Sequence, residues 1–270
     1  MPQVPFLSLV PDGSPHRVEG ERTVILPGVS IEILTTRRID LETWELKELN
    51  DPFWRLYIPT KGEATLTTKQ GSTQLVPNRG YIISPRTTMS STNAVPFSKW
   101  YVHFTLGPTG DRAVPGVYPF DLSQQMIDTL SSLKVRPAGF PWSSAGLVSE
   151  ALAKVPVEVW SRRRVDTRVE RAMAFMHANL NRKLTSEDVS RTAGVSVRNL
   201  SHLFAKQVQT SPMRALLDFR LDKACRQLRH TEDAIEQIAE DCGFPNRYYL
   251  SRMLKQHRGT SPAVYRKGSL

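Results

Sequence analysis

The apolar positions of this chain change period along its length. From residue 31 to 106 they come as short alternating or wholly apolar runs: SIEILTT, TWELKEL, WRLYIPT, ATLTTK, STQLV, GYIIS and KWYVHFTL. The breaks between them (NDP, TKG, VPNRG, SPR) are rich in Gly, Pro, Asn and Asp. Short runs at regular spacing with such punctuation predict strands of a sandwich or small barrel. In KWYVHFTL the two-residue period puts Tyr101, His103 and Thr105 on one face and Trp100, Val102 and Phe104 on the other. Helical spacing follows. Residues 121–134 predict a helix with Asp121 as N-cap, and residues 143–160 a second one that Pro156 bends or ends. The charged stretch SRRRVDTR, residues 161–168, has the texture of a linker.

Beyond it the period is 3.6 with sharp stops. Val169, Ala172, Met173, Met176 and Leu180 form one apolar stripe. Thr185 and Asp188 stand at capping-box spacing ahead of a helix that Gly194 closes. Ser196 can cap the next helix, whose inner side holds Leu200, Leu203 and Phe204. Ser211 and Pro212 open a long helix carrying Leu216, Phe219, Leu221 and Leu228. The phrase then restarts. Asp233 and Glu236 stand at capping-box spacing, Gly243 is the stop, and a helix over about 246–257 turns Leu250, Met253 and Leu254 inward. Gly259 ends it, and Ser261 with Pro262 opens a last short helix through Tyr265.

Each unit, a short helix, a Gly-containing turn and a second helix, predicts a helix-turn-helix, in which the first helix braces the second as a rod of major-groove width. The outward face of the first rod carries Arg198, Asn199, Ser201, His202 and Lys206. The second carries Asn246, Arg247, Tyr248, Ser251, Arg252 and Lys255. Arg can grip guanine bidentately and Asn adenine, while Lys and helix N-termini suit phosphates. Charge strengthens this picture. Residues 1–161 hold 15 Lys+Arg against 15 Asp+Glu, whereas residues 162–270 hold 21 against 11, so the whole excess of +10 lies in the helical half. A neutral half joined to a basic one points to double-stranded DNA as partner. The bland competitor is a pair of solvated helix faces in an ordinary bundle, and a duplicated unit with matched turns weighs against it.

Other classes receive less support. No run of eighteen apolar residues predicts a membrane span. The opening MPQVPFLSLVPDG lacks the pattern of a secretory signal. Cys225 and Cys242 are expected as buried thiols in a reducing, cytoplasmic setting. No catalytic set can be assembled, no cofactor is implied, and the front half's His16 and His103 stand too far apart to predict a metal site.

Residues 166–267 resemble the DNA-binding domain of the AraC/XylS family of bacterial transcription regulators. The resemblance rests on LTSEDVSRTAGVSVRNLSHLFAK and on IEQIAEDCGFPNRYYLSRMLKQHRGTSPAVYR. It implies base contacts at Arg198, Ser201, His202, Arg247, Tyr248, Ser251 and Arg252. Pro245 stands where the family has a capping polar residue, so Asn246 is expected to take over the cap. GYIISP and WYVHF resemble the cupin-like sensor domain of arabinose-type members, although Tyr81 replaces an acid of that pattern and RTTMSST lacks its His. The resemblance implies a two-domain α+β chain. Residues 1–160 would form a cupin-like barrel with flanking helices that binds an effector and dimerises, through 121–134 or 143–160. Residues 161–168 would link it to an all-α DNA-binding domain over 169–270.

The implied effector is a small molecule, a sugar by analogy, with RNA polymerase as a further partner. Tyr101 and His103 would face the pocket, Lys61 lies near the position of a sugar-binding Arg, and Trp54 and Arg55, with Trp44 and Tyr57, supply aromatic and polar surface. The same aromatics would equally serve as core. Two alternatives stay open: a cupin-type sugar-modifying enzyme fused to a DNA-binding module, and a barrel that only dimerises.

Overall fold

The computed structural model describes residues 30–133, 140–160 and 165–267. The opening segment with His16, and residues 161–164 of the expected linker, lie outside the described residues. The front half contains β1 (Glu32–Leu41), β2 (Leu46–Leu49), β3 (Trp54–Lys61), β4 (Ala64–Thr68), β5 (Gly71–Leu75), β6 (Arg79–Ile83), β7 (Met89–Thr92), β8 (Phe97–Thr105), a single turn α1 (Gly107–Gly110), β9 (Val117–Asp121), α2 (Gln124–Leu133) and α3 (Phe140–Ala153). The strands make two antiparallel sheets, in the orders β1-β8-β3-β6-β9 and β2-β7-β4-β5. The barrel expected from the strand pattern is therefore open, two facing sheets rather than a closed cylinder.

The central strands β3 and β8 show why three layers form. Their alternate residues Leu56, Ile58, Trp100, Val102 and Phe104 pack against Met126 and Leu130 of α2 and Leu147, Val148 and Ala151 of α3. The opposite face sends Tyr57 into a second core with Trp44, Leu66, Leu75, Met89 and Phe97, between the two sheets. A buried Thr36–Ser144 hydroxyl bond of 2.9 Å ties β1 to α3.

Several local expectations shift. Asp121 is not a helix cap: it ends β9 and pairs with Arg79 at 3.2 Å, and Ser123 accepts the Met126 N–H instead. The helix expected over 143–160 begins at Phe140 and stops at Ala153, with Pro156 opening a 3-10 turn over Val157–Val159. Two strands escaped the pattern. β9 contains Pro119, tolerable because β9 is the edge strand of its sheet among the described residues. β7, MSST, has one apolar inward residue, and its buried Ser91 hydroxyl is satisfied by the Leu46 N–H and the Trp44 carbonyl.

The helical half contains α4 (Thr167–Ala178), α5 (Ser186–Ala193), α6 (Val197–Gln207), α7 (Pro212–His230), α8 (Ile235–Asp241), α9 (Arg247–Arg258) and α10 (Pro262–Lys267). It has two cores, one built by α4, α5 and α6 and one by α8, α9 and α10, with α7 contributing Leu216 to the first and Leu221, Cys225 and Leu228 to the second. Both cysteines are buried free thiols, pushed up to about 12 by burial. α7 also meets the sheet half. Arg86 pairs with Asp222 at 2.6 Å and Arg229 donates to Asp51 at 3.2 Å, while Arg112 donates at 3.2 Å to the carbonyl of Gln207 at the end of α6.

Candidate nucleic-acid interface and effector cavity

The turn and the second helix of the two helix-turn-helix units are built by the same local chemistry. Thr185 and Asp188 form a reciprocal capping box at the start of α5, and Gly194 ends it in the left-handed region at φ 73°. The Ser196 hydroxyl then accepts from Asn199 N–H to start α6. In the second unit Gly243 turns the chain at φ 74°, and the Asn246 side chain accepts from the Tyr249 N–H at 2.9 Å. Asn246 thus takes the cap beside Pro245, as expected. The other capping prediction fails: α8 starts after Ala234 without a side-chain cap, and Asp233 gives its N–H to the Thr231 hydroxyl. α8 is held instead by burial of Ile238 and Ala239.

Leu200, Leu203 and Phe204 on α6, and Leu250, Met253 and Leu254 on α9, are buried. The opposite faces are open. Arg198, Asn199, Ser201, His202 and Lys206 are exposed on α6; Arg247, Tyr248, Arg252 and Lys255 are exposed on α9 beside the exposed cap Asn246, and Ser251 is half-buried. Arg247 is held by Glu236 of α8 at 2.7 Å and by the Tyr248 hydroxyl at 3.0 Å. These contacts pre-order its guanidinium on a face otherwise free of the protein's own packing.

The second site is a cavity of about 220 Å³ at the end of the space between the two sheets, closed on one side by the C-terminal end of α7. Of the expected effector residues, Arg55, Tyr101 and His103 line it. Trp54 does not: it points the other way, stacking on Phe104 at 6.1 Å and meeting Trp160 at 5.4 Å, because neighbouring strand residues face opposite sides. Lys61 does not either: β3 bulges between Pro59 and Lys61 and leaves Lys61 exposed. Thr105, expected on the Tyr101 face, is buried and bonds to Asp111. Sequence reasoning missed Lys99, although Lys99, Tyr101 and His103 fall at the two-residue period. It also missed Asp51, Arg229 and His230, which no period links.

Electrostatics set this cavity apart. Lys99 is 4% exposed, and its ammonium sits 3.3 Å from the Trp44 ring centroid and 3.7 Å from that of Tyr57. Burial, and then Arg55, push its pKa well below the ordinary lysine value. Burial likewise pushes the Tyr57 hydroxyl up to about 12. Buried Asp51 is a hub: Arg55, Arg229 and the Tyr265 hydroxyl all donate to it, and the Arg229 guanidinium lies 4.2 Å from the Tyr265 ring centroid. Arg55 comes from the sheet half and the other two donors from the helical half, so Asp51 joins the cavity wall to α7 and α10.

His230 of α7 packs 5.2 Å from His103 and 4.9 Å from Phe53. Burial pushes it down to about 4, against the pull of Asp51 and with Arg55, Arg229 and Arg37 adding to the fall. Below about pH 6.5 the unfolded chain takes up a proton that folded His230 refuses. This contribution to stability is present above pH 6.5 and lost as the pH falls towards 4. Its slope is at most about 1.4 kcal/mol per pH unit. Urea midpoints of the parent are expected to fall more steeply between pH 7 and 5 than those of His230→Phe; equal slopes would show that His230 is solvated.

A helix-turn-helix domain model matches residues 189–268. The HTH-type transcriptional regulator GbdR of Pseudomonas aeruginosa is 31% identical over 101 residues, 37% of this chain and 28% of that protein. The HTH-type transcriptional activator RhaS of Enterobacter sp. strain 638 is 29% identical over 103 residues, 38% of this chain and 37% of that protein. The chain thus spans about a third of the length of these curated relatives. The solved structure of ToxT from Vibrio cholerae superposes with a TM-score of 0.55 at 14% identity, covering 89% of this chain and 99% of that one, so the two-domain fold is shared.

Proposed function

Through residues 189–268 the chain belongs to the AraC/XylS family, and from that premise we propose that it is a sequence-specific DNA-binding transcription regulator controlled by a small molecule held in the inter-sheet cavity. The observation that carries this reading is the duplicated pair α5–α6 and α8–α9, each turned at a left-handed glycine and each with a side-chain cap on its second helix. Each lays an uncovered, cation-bearing face along a helix whose other side is core. The two rods would enter successive major-groove segments of one duplex, α7 spacing them. Arg198, Ser201, His202, Arg247, Tyr248, Ser251 and Arg252 would meet base edges, and Asn199, Lys206, Asn246 and Lys255 the backbone nearby.

The sheet half, with its boundary near residue 160, would sense the effector and pair two chains. Trp142 on α3, 85% exposed, is a candidate for the pairing surface. Effector binding would change the population of two arrangements of sheet half against helical half, because the cavity wall is shared between them. Contact with RNA polymerase would follow from the same reading.

The test begins with selection of bound sequences from random duplex DNA. On the selected site Arg247→Ala is expected to cost about 1–3 kcal/mol and to relax discrimination at one position. Lys255→Ala should weaken selected and scrambled duplexes alike and reduce the salt slope by about one. Equal effects of both variants on both duplexes would overturn this division of labour.

A further inference from the structure

The cavity carries more positive charge than its own acids balance. Arg55, Lys99 and Arg229 line it, with exposed Arg37, against Asp51 and Glu232. Asp51 is already engaged by Arg55, Arg229 and Tyr265, and Glu232 is exposed. Among the described residues buried Lys99 has no hydrogen bond or ion pair, only aromatic faces around its ammonium. The Nε and Nη1 groups of Arg55, 1% exposed, also lack acceptors, and neither ring nitrogen of His103 has a hydrogen-bond partner. Orphaned buried donors and an unbalanced buried ammonium each cost free energy that a bound acceptor would recover. Apolar wall remains for the rest of a ligand, from Ile39, Leu41, Leu46, Leu49 and Phe53.

We propose that this cavity takes a small organic acid, its carboxylate accepting from Lys99 and Arg55 and its apolar part lying against the aliphatic and aromatic wall. A neutral sugar, the class that the resemblance implies, would leave the ammonium unbalanced. An apolar cavity of about 150 Å³ holds benzene, so the 220 Å³ volume suits one ring or a short chain. Arg55 already gives one N–H to Asp51, so an anion on its other N–H groups draws on the same guanidinium that ties the cavity to Arg229 and Tyr265. The ligand class deepens the regulator reading and, as an effector, rests on it; as a binding site it does not.

Calorimetric titration of the purified full chain tests it, with phenylacetate and hexanoate against phenylacetamide, hexanamide and arabinose. The acids are expected to bind at least about thirty-fold more tightly than the neutral molecules. Lys99→Met is expected to weaken them by a similar factor, the loss that follows removal of one partner of a buried ion pair. Lys99→Arg, which keeps the charge, should retain the preference for acid over amide, and a melting transition near that of the parent checks that each variant is folded. Equal binding of amides or arabinose, no binding by either acid, or undiminished acid binding by folded Lys99→Met would each overturn the proposal. Duplex binding in the same preparations separates the two readings. A chain that takes the acids but ignores DNA keeps the anion site and sinks the regulator; one that binds DNA and prefers the amides does the reverse.

Discussion

Asp51→Asn is expected to destabilise the full chain by about 3–5 kcal/mol, close to the effect of Asp51→Ala, although Asn conserves nearly all of the volume. The carboxylate is 2% exposed and is the acceptor shared by Arg55, Arg229 and Tyr265. Removing its charge takes away the carboxylate shared by two guanidinium groups at 1% and 6% side-chain exposure. A buried ion cluster is not in itself strong evidence of stability, because an apolar replacement of the whole can be neutral. Half a cluster is the costly state. Arg229→Met in the Asp51→Asn background should therefore recover part of the loss, with a coupling of about 0.5–3 kcal/mol in a double-mutant cycle. Urea unfolding of the four proteins measures it. An Asp51→Asn unfolding free energy within about 1 kcal/mol of the parent would mean that the two halves are not latched through this residue in solution.

Gly243→Ala should cost about 2–5 kcal/mol, and Gly194→Ala only about 1–2, although both glycines occupy the same turn of their units. The shared part is the left-handed backbone, at φ 74° and 73°, which an L side chain adopts at about 1–2 kcal/mol. The difference is the surroundings. A Cβ on Gly194 would meet nothing within 4 Å; one on Gly243 would lie 2.1 Å from the Leu180 carbonyl oxygen. That oxygen accepts from Arg220 Nε at 2.9 Å, and pushing it aside leaves a half-buried donor unmet, for about 1 kcal/mol or more in addition. Gly243→Ala should also weaken duplex binding, because this contact ties the turn before α9 to the end of α4. Thermal melts and DNA titrations of the two variants check the contrast. Equal losses would place the cost in the backbone alone.

Helix starts and stops in the basic half were legible because they depend on neighbours in sequence. A hydroxyl or amide three residues ahead of an N–H, or a glycine at a reversal, does its work within one turn, so Thr185, Gly194, Ser196, Ser211, Asn246 and Gly259 all serve as their types foretell. Asp233 failed because a capping pattern states only that a bond can form, and its N–H found the Thr231 hydroxyl. The sheet half was legible where apolar residues alternate. β7 and β9 were not, since a polar strand satisfied by side-chain bonds and an edge strand holding proline carry no period to read.

The sequence by itself determined that a neutral, strand-rich half precedes a basic half with two braced helices, and which faces of those helices are open. It also held, unread, the register that sets Lys99 beside Tyr101 and His103, and the register that turns Trp54 away from Arg55. Only the tertiary structure decided the cavity. Asp51, Arg229, His230 and Tyr265 are brought together from segments up to 214 residues apart, and nothing local in the chain marks them as partners. Short-range order is set by bonds within a turn or a strand pair. A buried charge cluster is set by which elements pack, and that depends on the whole chain's apolar surface finding cover.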